Sequence, residues 1–429
     1  MTPLSGFRQN IFHQYGLQVA KYIFPYLTLP YLTRVLEPDA YAVRAYILAA
    51  MTFMQVFLDY GFNSYGTKVV AESINDEGLI HRVTSSIALL RIMLAVVGAI
   101  ALLPVTSSIP IMGANPCYVA IAYLGVCFKA MLPDFIFQGK EDMGIITKRF
   151  VVSQAVATFL IFATVRAPSD LLWVPVIEAL ASFIALAWSW ANALTVQGIR
   201  LVRPVTKELA YLFRQASIFF LSGASTTVFT ALTTLMIGVF IVDQVEIAYW
   251  SVAMTAVNAI QSLYTPITNS LYPHMVKCKD FALVKKLLIV GMPVVFVGSV
   301  LFALLSNEVM WVLGGEQYLA GSYVISLVSP VLLFSFPAML LGFPVLAAIG
   351  HVRELTTSSA ISAFFHIAGL FVLVFTGQFS IAGVAVLRVC TEMLLLIIRG
   401  GFAIRCRYLL RRRVRNECGN MPYCDQNEK

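Results

Sequence analysis

The stretch Val83-Thr-Ser-Ser-Ile-Ala-Leu-Leu-Arg-Ile-Met-Leu-Ala-Val-Val-Gly-Ala-Ile-Ala-Leu-Leu103 decides the fold, because its 21 residues carry one charge, Arg91. As an α-helix rising about 1.5 Å per residue it is about 31 Å long, which matches a hydrocarbon core of about 30 Å. Comparable runs lie on both sides of it, at 12–33, 41–61, 114–132, 146–165, 169–190, 217–240, 248–272, 286–306, 323–348, 356–376 and 380–400. The pattern predicts an all-α integral membrane protein with twelve transmembrane helices.

Composition agrees with that reading. Of 429 residues, 59% are hydrophobic and only 12% charged, about half the charge of an average soluble domain. The polar segments between the runs are too short to be separate soluble domains. The first run holds Lys21, Pro25 and Pro30 and lacks a small-residue cleavage site, so it reads as a retained helix rather than a signal peptide. Seven cysteines form no CxxC pair, which points away from a disulfide framework or a metal site, and no cofactor is expected.

Loop charge then orients the chain. With the N-terminus on the cytoplasmic side, the inner segments hold 22 of the 30 Lys and Arg residues, and the outer loops only Arg34 and Arg166. Cytoplasmic loops carry such an excess, so both termini are expected in the cytoplasm. The net charge of +8 is therefore a membrane feature. It meets anionic lipid headgroups at the inner loops and the basic tail rather than nucleic acid.

A shift of 206 positions lays Ala42, Ala50, Gln55, Asn63, Ser64 and Val70 on Ala248, Ala256, Gln261, Asn269, Ser270 and Val276. Six identities in 29 positions exceed the roughly two or three expected by chance in so apolar a chain. The shift carries the second run onto the eighth and preserves orientation. It predicts two six-helix bundles, 1–200 and 201–400, related by a pseudo-two-fold axis along the membrane normal, followed by a basic cytoplasmic tail, 401–429.

Four segments carry a family resemblance. They are Pro30-Tyr-Leu-Thr-Arg-Val-Leu36; Asp59-Tyr-Gly-Phe62 with Tyr65-Gly-Thr67; Pro133-Asp-Phe-Ile-Phe-Gln-Gly-Lys-Glu-Asp-Met143, with its Phe-Gln-Gly-x-Glu-x-Met pattern; and Ser270-Leu-Tyr-Pro273. The chain resembles the bacterial oligosaccharide-lipid flippases of O-antigen and capsule export, in the superfamily that also holds multidrug and toxin extrusion proteins. It departs from that family at Glu37 and Ala42, where glycine is usual, and at Phe135, where tryptophan is common. The resemblance implies an undecaprenyl-diphosphate-linked oligosaccharide as substrate, moved to the outer leaflet of the cytoplasmic membrane, often with an ion gradient as energy source. It also implies polymerase or glycosyltransferase neighbours.

Ionisable residues inside the runs are the candidate site, because each costs at least about 2.5–3.5 kcal/mol at the centre of a bilayer unless it meets a partner or water. Lys21 and Arg91 are expected either to hold a diphosphate in the cavity or to be paired structurally. Arg388 and Glu392, four residues apart, share a helix face and can pair, with Arg388 as a diphosphate-binding residue of the cavity as the alternative. Lys129 lies a turn from a helix end, placed to snorkel or to meet an entering headgroup. Glu178 and Asp59 are the candidates for ion coupling, with helix-linking hydrogen bonds as the alternative. Arg44 and Arg399 read as interface anchors, as do Trp173, Trp188, Trp190 and Trp311. The glycine spacing of Gly61 to Lys68 imitates a phosphate-binding loop but has Lys and Thr in the wrong order and no βα unit.

Two rival functions define the tests. A multidrug or cation antiporter of the same superfamily requires an acidic cavity, whereas basic residues predominate inside these runs. A polysaccharide polymerase or ligase requires catalytic side chains on a long outer loop, and the longest one, Asn307 to Ser322, holds only Glu308 and Glu316 as ionisable groups.

Overall fold

The computed structural model describes the backbone of residues 3–227, 231–241 and 243–419. Helix accounts for 88% of it, and no strand occurs among the described residues. Nine of the described helical segments are long and apolar enough to cross a membrane.

The chain divides into two compact units. The first, Met1–Val252 with Met310–Gly321, contains α1 (Pro3–Asp59), α2 (Phe62–Glu72), α3 (Glu77–Ser108), α4 (Pro110–Gly113), α5 (Pro116–Ala130), α6 (Asp134–Gly139), α7 (Met143–Thr164), α8 (Trp173–Thr195), α9 (Thr206–Thr227) and α10 (Thr233–Phe240). The second, Ala253–Val309 with Ser322–Lys429, contains most of α11 (Val245–Ser262), then α12 (Thr265–Cys278), α13 (Phe281–Leu304), α15 (Ser322–Val328), α16 (Pro330–Leu340), α17 (Val352–Phe375) and α18 (Ile381–Gly419). The short helix α14 (Ser306–Gly314) spans the junction. In the tail expected at 401–429, α18 continues to Gly419, while residues 420–429 and the side chains beyond Cys406 lie outside the described residues.

The runs 12–33 and 41–61 are joined as the single element α1, and its break differs from expectation. Pro25 and Pro30 lie inside it, where proline usually kinks a helix, yet the one non-helical residue is Glu37, at φ 60° and ψ 168°. Pro38 disfavours the helical region for the residue before it, and φ is positive where the related family has glycine. Proline alone removes a hydrogen bond but leaves φ near its helical value. Thr28 bonds back to the Phe24 and Pro25 carbonyls within this stretch.

The Phe-Gln-Gly segment forms α6, which packs on α2. Thr67 Oγ1 donates to Gln138 Oε1 at 3.2 Å. A Cβ on Gly139 would stand 2.6 Å from Val70 Cβ, so this glycine is needed for close approach rather than for a turn. The turn is made by Glu141, at φ 58°. Phe135, Ile136 and Phe137 are buried in the core of this unit with Phe62, Val70 and Ile87. In the second unit, Tyr264, Leu271, Phe336 and Leu340 form a comparable core.

Candidate functional site

The site begins where α1 ends. Asp59 is its last residue, and Tyr60 and Gly61 follow at φ 46° and 76°. A Cβ on Gly61 would lie 2.7 Å from the Ala216 carbonyl oxygen and from Phe219 Cβ. The turn therefore requires glycine both for its dihedral and for the approach of α9. Tyr60 stacks on Phe213 and Phe220 of α9, with ring centroids 4.2 and 4.7 Å away.

This turn and the neighbouring helices enclose a cavity of about 360 Å³ lined by Gln55, Asp59, Asn63, Arg91, Lys129 and Asp134, among others. Arg91 reaches it from α3 and is 3% exposed. One guanidinium nitrogen donates to Asp59 Oδ1 at 2.7 Å and another to the Leu132 carbonyl at 2.9 Å. The group also sits 5.9 Å from the centre of the Phe135 ring. Removing Asp59 would leave a nearly buried cation, a loss of about 3–5 kcal/mol.

Asp134, which also lines the cavity, is held by Arg149 of α7 through two hydrogen bonds of 2.6 and 3.0 Å. Arg149 also donates to Ser189 Oγ and is 4% exposed. In the sequence Arg149 is one of the 22 inner-segment cations, with nothing to mark it as a partner of Asp134. Its proximity to a run boundary concealed it, although Asp134 belongs to the family-like segment.

Lys129 differs from both arginines. It is exposed, and no described residue hydrogen bonds or ion pairs with it. It lines the large cavity and also a smaller one, of about 40 Å³, where Arg44 and Glu178 meet. Arg44 donates to Glu178 Oε1 at 3.3 Å, and its side chain is 15% exposed. This corrects its reading as an interface anchor, since desolvation by α5 and α8 makes the carboxylate its partner.

Lys21 is exposed on α1, lines neither of these cavities and has no described partner. In the second unit Arg388 pairs with Glu392 at 2.7 Å, and both are buried. Arg399, the other expected anchor, donates instead to the Ala338 carbonyl and to Ser358 and Ser359. Trp190 likewise turns inward and donates to the Met131 carbonyl at 3.0 Å, while Trp173, Trp188 and Trp311 are exposed.

Apolar membrane-length helices around a polar cavity with paired charges define a multi-pass membrane protein of transporter fold. The chain belongs to the polysaccharide biosynthesis protein family, whose sequence pattern matches residues 7–279. Its relatives include a "Putative O-antigen transporter" of Escherichia coli (strain K12), 26% identical over 282 residues that cover 64% of this chain and 66% of that protein. A protein of the same description from Shigella dysenteriae is 24% identical over 341 residues, covering 75% and 81%. These relatives are described as transporters, not enzymes. Among solved structures, the lipid II flippase MurJ in its inward closed conformation superposes with a TM-score of 0.69 at 12% identity, over 91% of this chain and 86% of that one. An inward-facing multidrug resistance MATE family transporter gives 0.68 at 13%, over 91% and 99%. Identities this low establish the shared fold alone.

Proposed function

We propose that this protein carries an undecaprenyl-diphosphate-linked oligosaccharide from the inner to the outer leaflet of the bacterial cytoplasmic membrane, by alternating access driven by an ion gradient. The observation that carries the reading is Lys129, an exposed cation without a described partner in a cavity whose two carboxylates, Asp59 and Asp134, each hold an arginine. Such a cavity offers an anion a partner and offers a cation little. The names of the related O-antigen transporters and of the MurJ flippase point to the same class of substrate.

In this reading Lys129 meets the diphosphate directly, with Lys21 a second free cation along its path. Arg91 and Arg388 act through their ion pairs, shaping the route and engaging the headgroup only when those pairs open. Asp59 and Glu178 remain candidates for ion coupling, each tied to its arginine. The twelve-crossing arrangement in two bundles, 1–200 and 201–400, with both termini in the cytoplasm, is part of the proposal. It is supported by the excess of inner-loop charge and by the length of Gly16–Glu72, which at 57 residues is well over twice the roughly 20 that one crossing needs. Contact with anionic lipids and with polymerase or glycosyltransferase partners belongs to it too.

The test is reconstitution in liposomes with labelled lipid-linked oligosaccharide. Label should reach the opposite leaflet, and Lys129→Met should weaken binding about 10–100-fold, the loss of one charge-assisted hydrogen bond. Extrusion of cationic drugs without movement of the lipid would favour the multidrug reading that the MATE-like fold keeps open.

A further inference from the structure

A cluster of metal-ligating side chains lies in the second unit, where the chain turns from the π-helical segment Leu341–Ala347 into α17. Gly350 makes that turn at φ 87°, a conformation open to glycine without strain. The His351 amide then donates to the Leu346 carbonyl at 2.8 Å, which fixes His351 just before the first residue of α17, Val352. One helical turn on, Glu354 brings a carboxylate back beside it, with Oε1 2.8 Å from His351 Nδ1. The two side chains are 29% and 31% exposed, so water reaches both.

The third group comes from α18. Cys406 is 2% exposed and packs with Leu346 and Ala403 against Leu341, Ile349, Leu355 and Phe402. Its sulfur, a ring nitrogen of His351 and a carboxylate oxygen of Glu354 all lie within 4.8 Å of one another. Arg399, about two turns earlier on α18, holds this register by donating to the Ala338 carbonyl and to Ser358 and Ser359 of α17. A buried cysteine alone is an ordinary core residue, and a His–Glu pair three residues apart is an ordinary local contact. What sets this group apart is that nitrogen, oxygen and sulfur converge from two helices. Cysteine spacing does not reveal it, because Cys406 is distant in sequence from the other two ligands.

We propose that His351, Glu354 and Cys406 bind a divalent ion of the zinc class, with water in the fourth position, and that the ion fastens α18 to the start of α17. A set of one imidazole, one carboxylate and one thiolate suits zinc or cobalt, whereas magnesium and calcium take shells of oxygen. Zinc-to-ligand bonds of about 2.0–2.3 Å place tetrahedral ligands about 3.3–3.6 Å apart, so side-chain movements of about 1 Å turn the cluster into a coordination shell. As the sulfur–metal bond forms, the thiol proton leaves to solvent. The thiolate and the carboxylate then cancel the two charges of the ion, and the bound site is neutral, as a buried sulfur requires. Arg353 and Arg405 adjoin two of the ligands in sequence but are exposed, and their long side chains keep the charge in water. In the orientation proposed above, the site faces the cytoplasm, where thiols stay reduced and a Cys–His–Glu group is left free to bind metal.

The experiment uses the full chain in detergent, stripped of metal, with the six other cysteines changed to serine and cobalt(II) as the probe. Cobalt should bind at one ion per chain and produce a thiolate-to-metal charge-transfer band in the near ultraviolet. Zinc should displace it, and magnesium or calcium at about 1 mM should not. Cys406→Ser should remove the band, and His351→Gln and Glu354→Gln should each weaken zinc binding at least about tenfold. If the serine background folds poorly, the same band is read as the difference between the natural chain and Cys406→Ser alone. In the natural chain, zinc should slow amide hydrogen exchange at residues 351–355 and 403–406, and should not do so in His351→Gln. A folded protein without the band, or zinc affinity unchanged in both glutamine variants, overturns the site. Displacement of cobalt by magnesium or calcium overturns the class of ion, and zinc binding that leaves exchange in both segments unchanged overturns the fastening of the helices.

Discussion

Glu37→Gly should make the protein more stable, which is unusual for a change that deletes a whole side chain. Glu37 holds φ 60° and ψ 168°, a region populated almost only by glycine and costing other residues about 1–3 kcal/mol. Its side chain is exposed and has no described partner, so nothing of value is lost with it. Glycine brings its own cost of about 0.5–1 kcal/mol through the greater freedom of the unfolded chain. The difference is a net gain of about 0.5–2 kcal/mol. Thermal unfolding of the detergent-solubilised protein, compared at one scan rate, should place Glu37→Gly above the natural chain by about 1–4 °C. Glu37→Ala keeps the strained dihedral and should lie at or below the natural chain. If the alanine variant is as stable as the glycine variant, backbone strain at this position is not the reason that glycine is usual in the related family.

Three further perturbations test the packing around the cavity and the caps of the helices. Asp134→Asn leaves the nearly buried Arg149 without its carboxylate and should cost about 3 kcal/mol, while adding Arg149→Gln should recover at least about 1 kcal/mol in a double-mutant cycle; strict additivity of the two would mean that the pair is not coupled. Gly139→Ala drives a methyl group against Val70 and the Thr67 carbonyl and should cost about 1–3 kcal/mol, with Val70→Ala in the same chain restoring part of it; a double variant no more stable than the single one would refute the close approach. Asp280 caps α13, accepting from the backbone N–H groups of Ala282 and Leu283, and the Leu283 bond above all, then His274, holds its carboxyl below the usual carboxylate range. A depressed folded-state value means that the contribution is complete above the ordinary carboxylate pKa of about 4 and is lost as pH falls through the folded value. Protection of the 282–284 amides against hydrogen exchange, corrected for intrinsic rates, should therefore drop below about pH 4 and lose that dependence in Asp280→Ala; protection that is flat through acid would contradict the cap.

Membrane crossings were legible because a bilayer dictates both length and composition, and a run such as Val83–Leu103 satisfies both without help from its neighbours. Breaks were harder to place. Pro25 and Pro30 drew attention as helix disruptors, but the chain bends at Glu37, where a following proline and the residue's own dihedral act together. Charge pairs were legible only when local. Arg388 and Glu392 are four residues apart and could be paired from spacing, whereas Asp59 and Arg91, Arg44 and Glu178, and Asp134 and Arg149 join different helices and depend on how those helices pack. His366 attracted no notice in the sequence, because a lone histidine in an apolar run carries no periodic signal. The convergence of α17 on α18 brings it to Thr391.

The chemistry of the two kinds of cation explains the division of labour proposed for the cavity. Arg44, Arg91, Arg149 and Arg388 each have a carboxylate within 3.3 Å, and all four are largely withdrawn from solvent. Guanidinium is planar, permanently charged and weakly hydrated, so it tolerates burial and holds a carboxylate with a fixed fork. In Arg44, Arg91 and Arg149 those properties suit joints between helices, and in Arg388 a brace along α18. Lys129 and Lys21 have no such partners among the described residues. An ammonium on a flexible four-carbon stem is strongly hydrated and imposes little geometry. It can therefore follow a diphosphate along a path and exchange it for water at the end. A carrier must release what it binds, and a headgroup gripped by a buried arginine fork would leave slowly. In the proposed carrier Arg91 and Lys21 therefore part: the arginines would set the shape of the route, and the lysines would touch what passes along it.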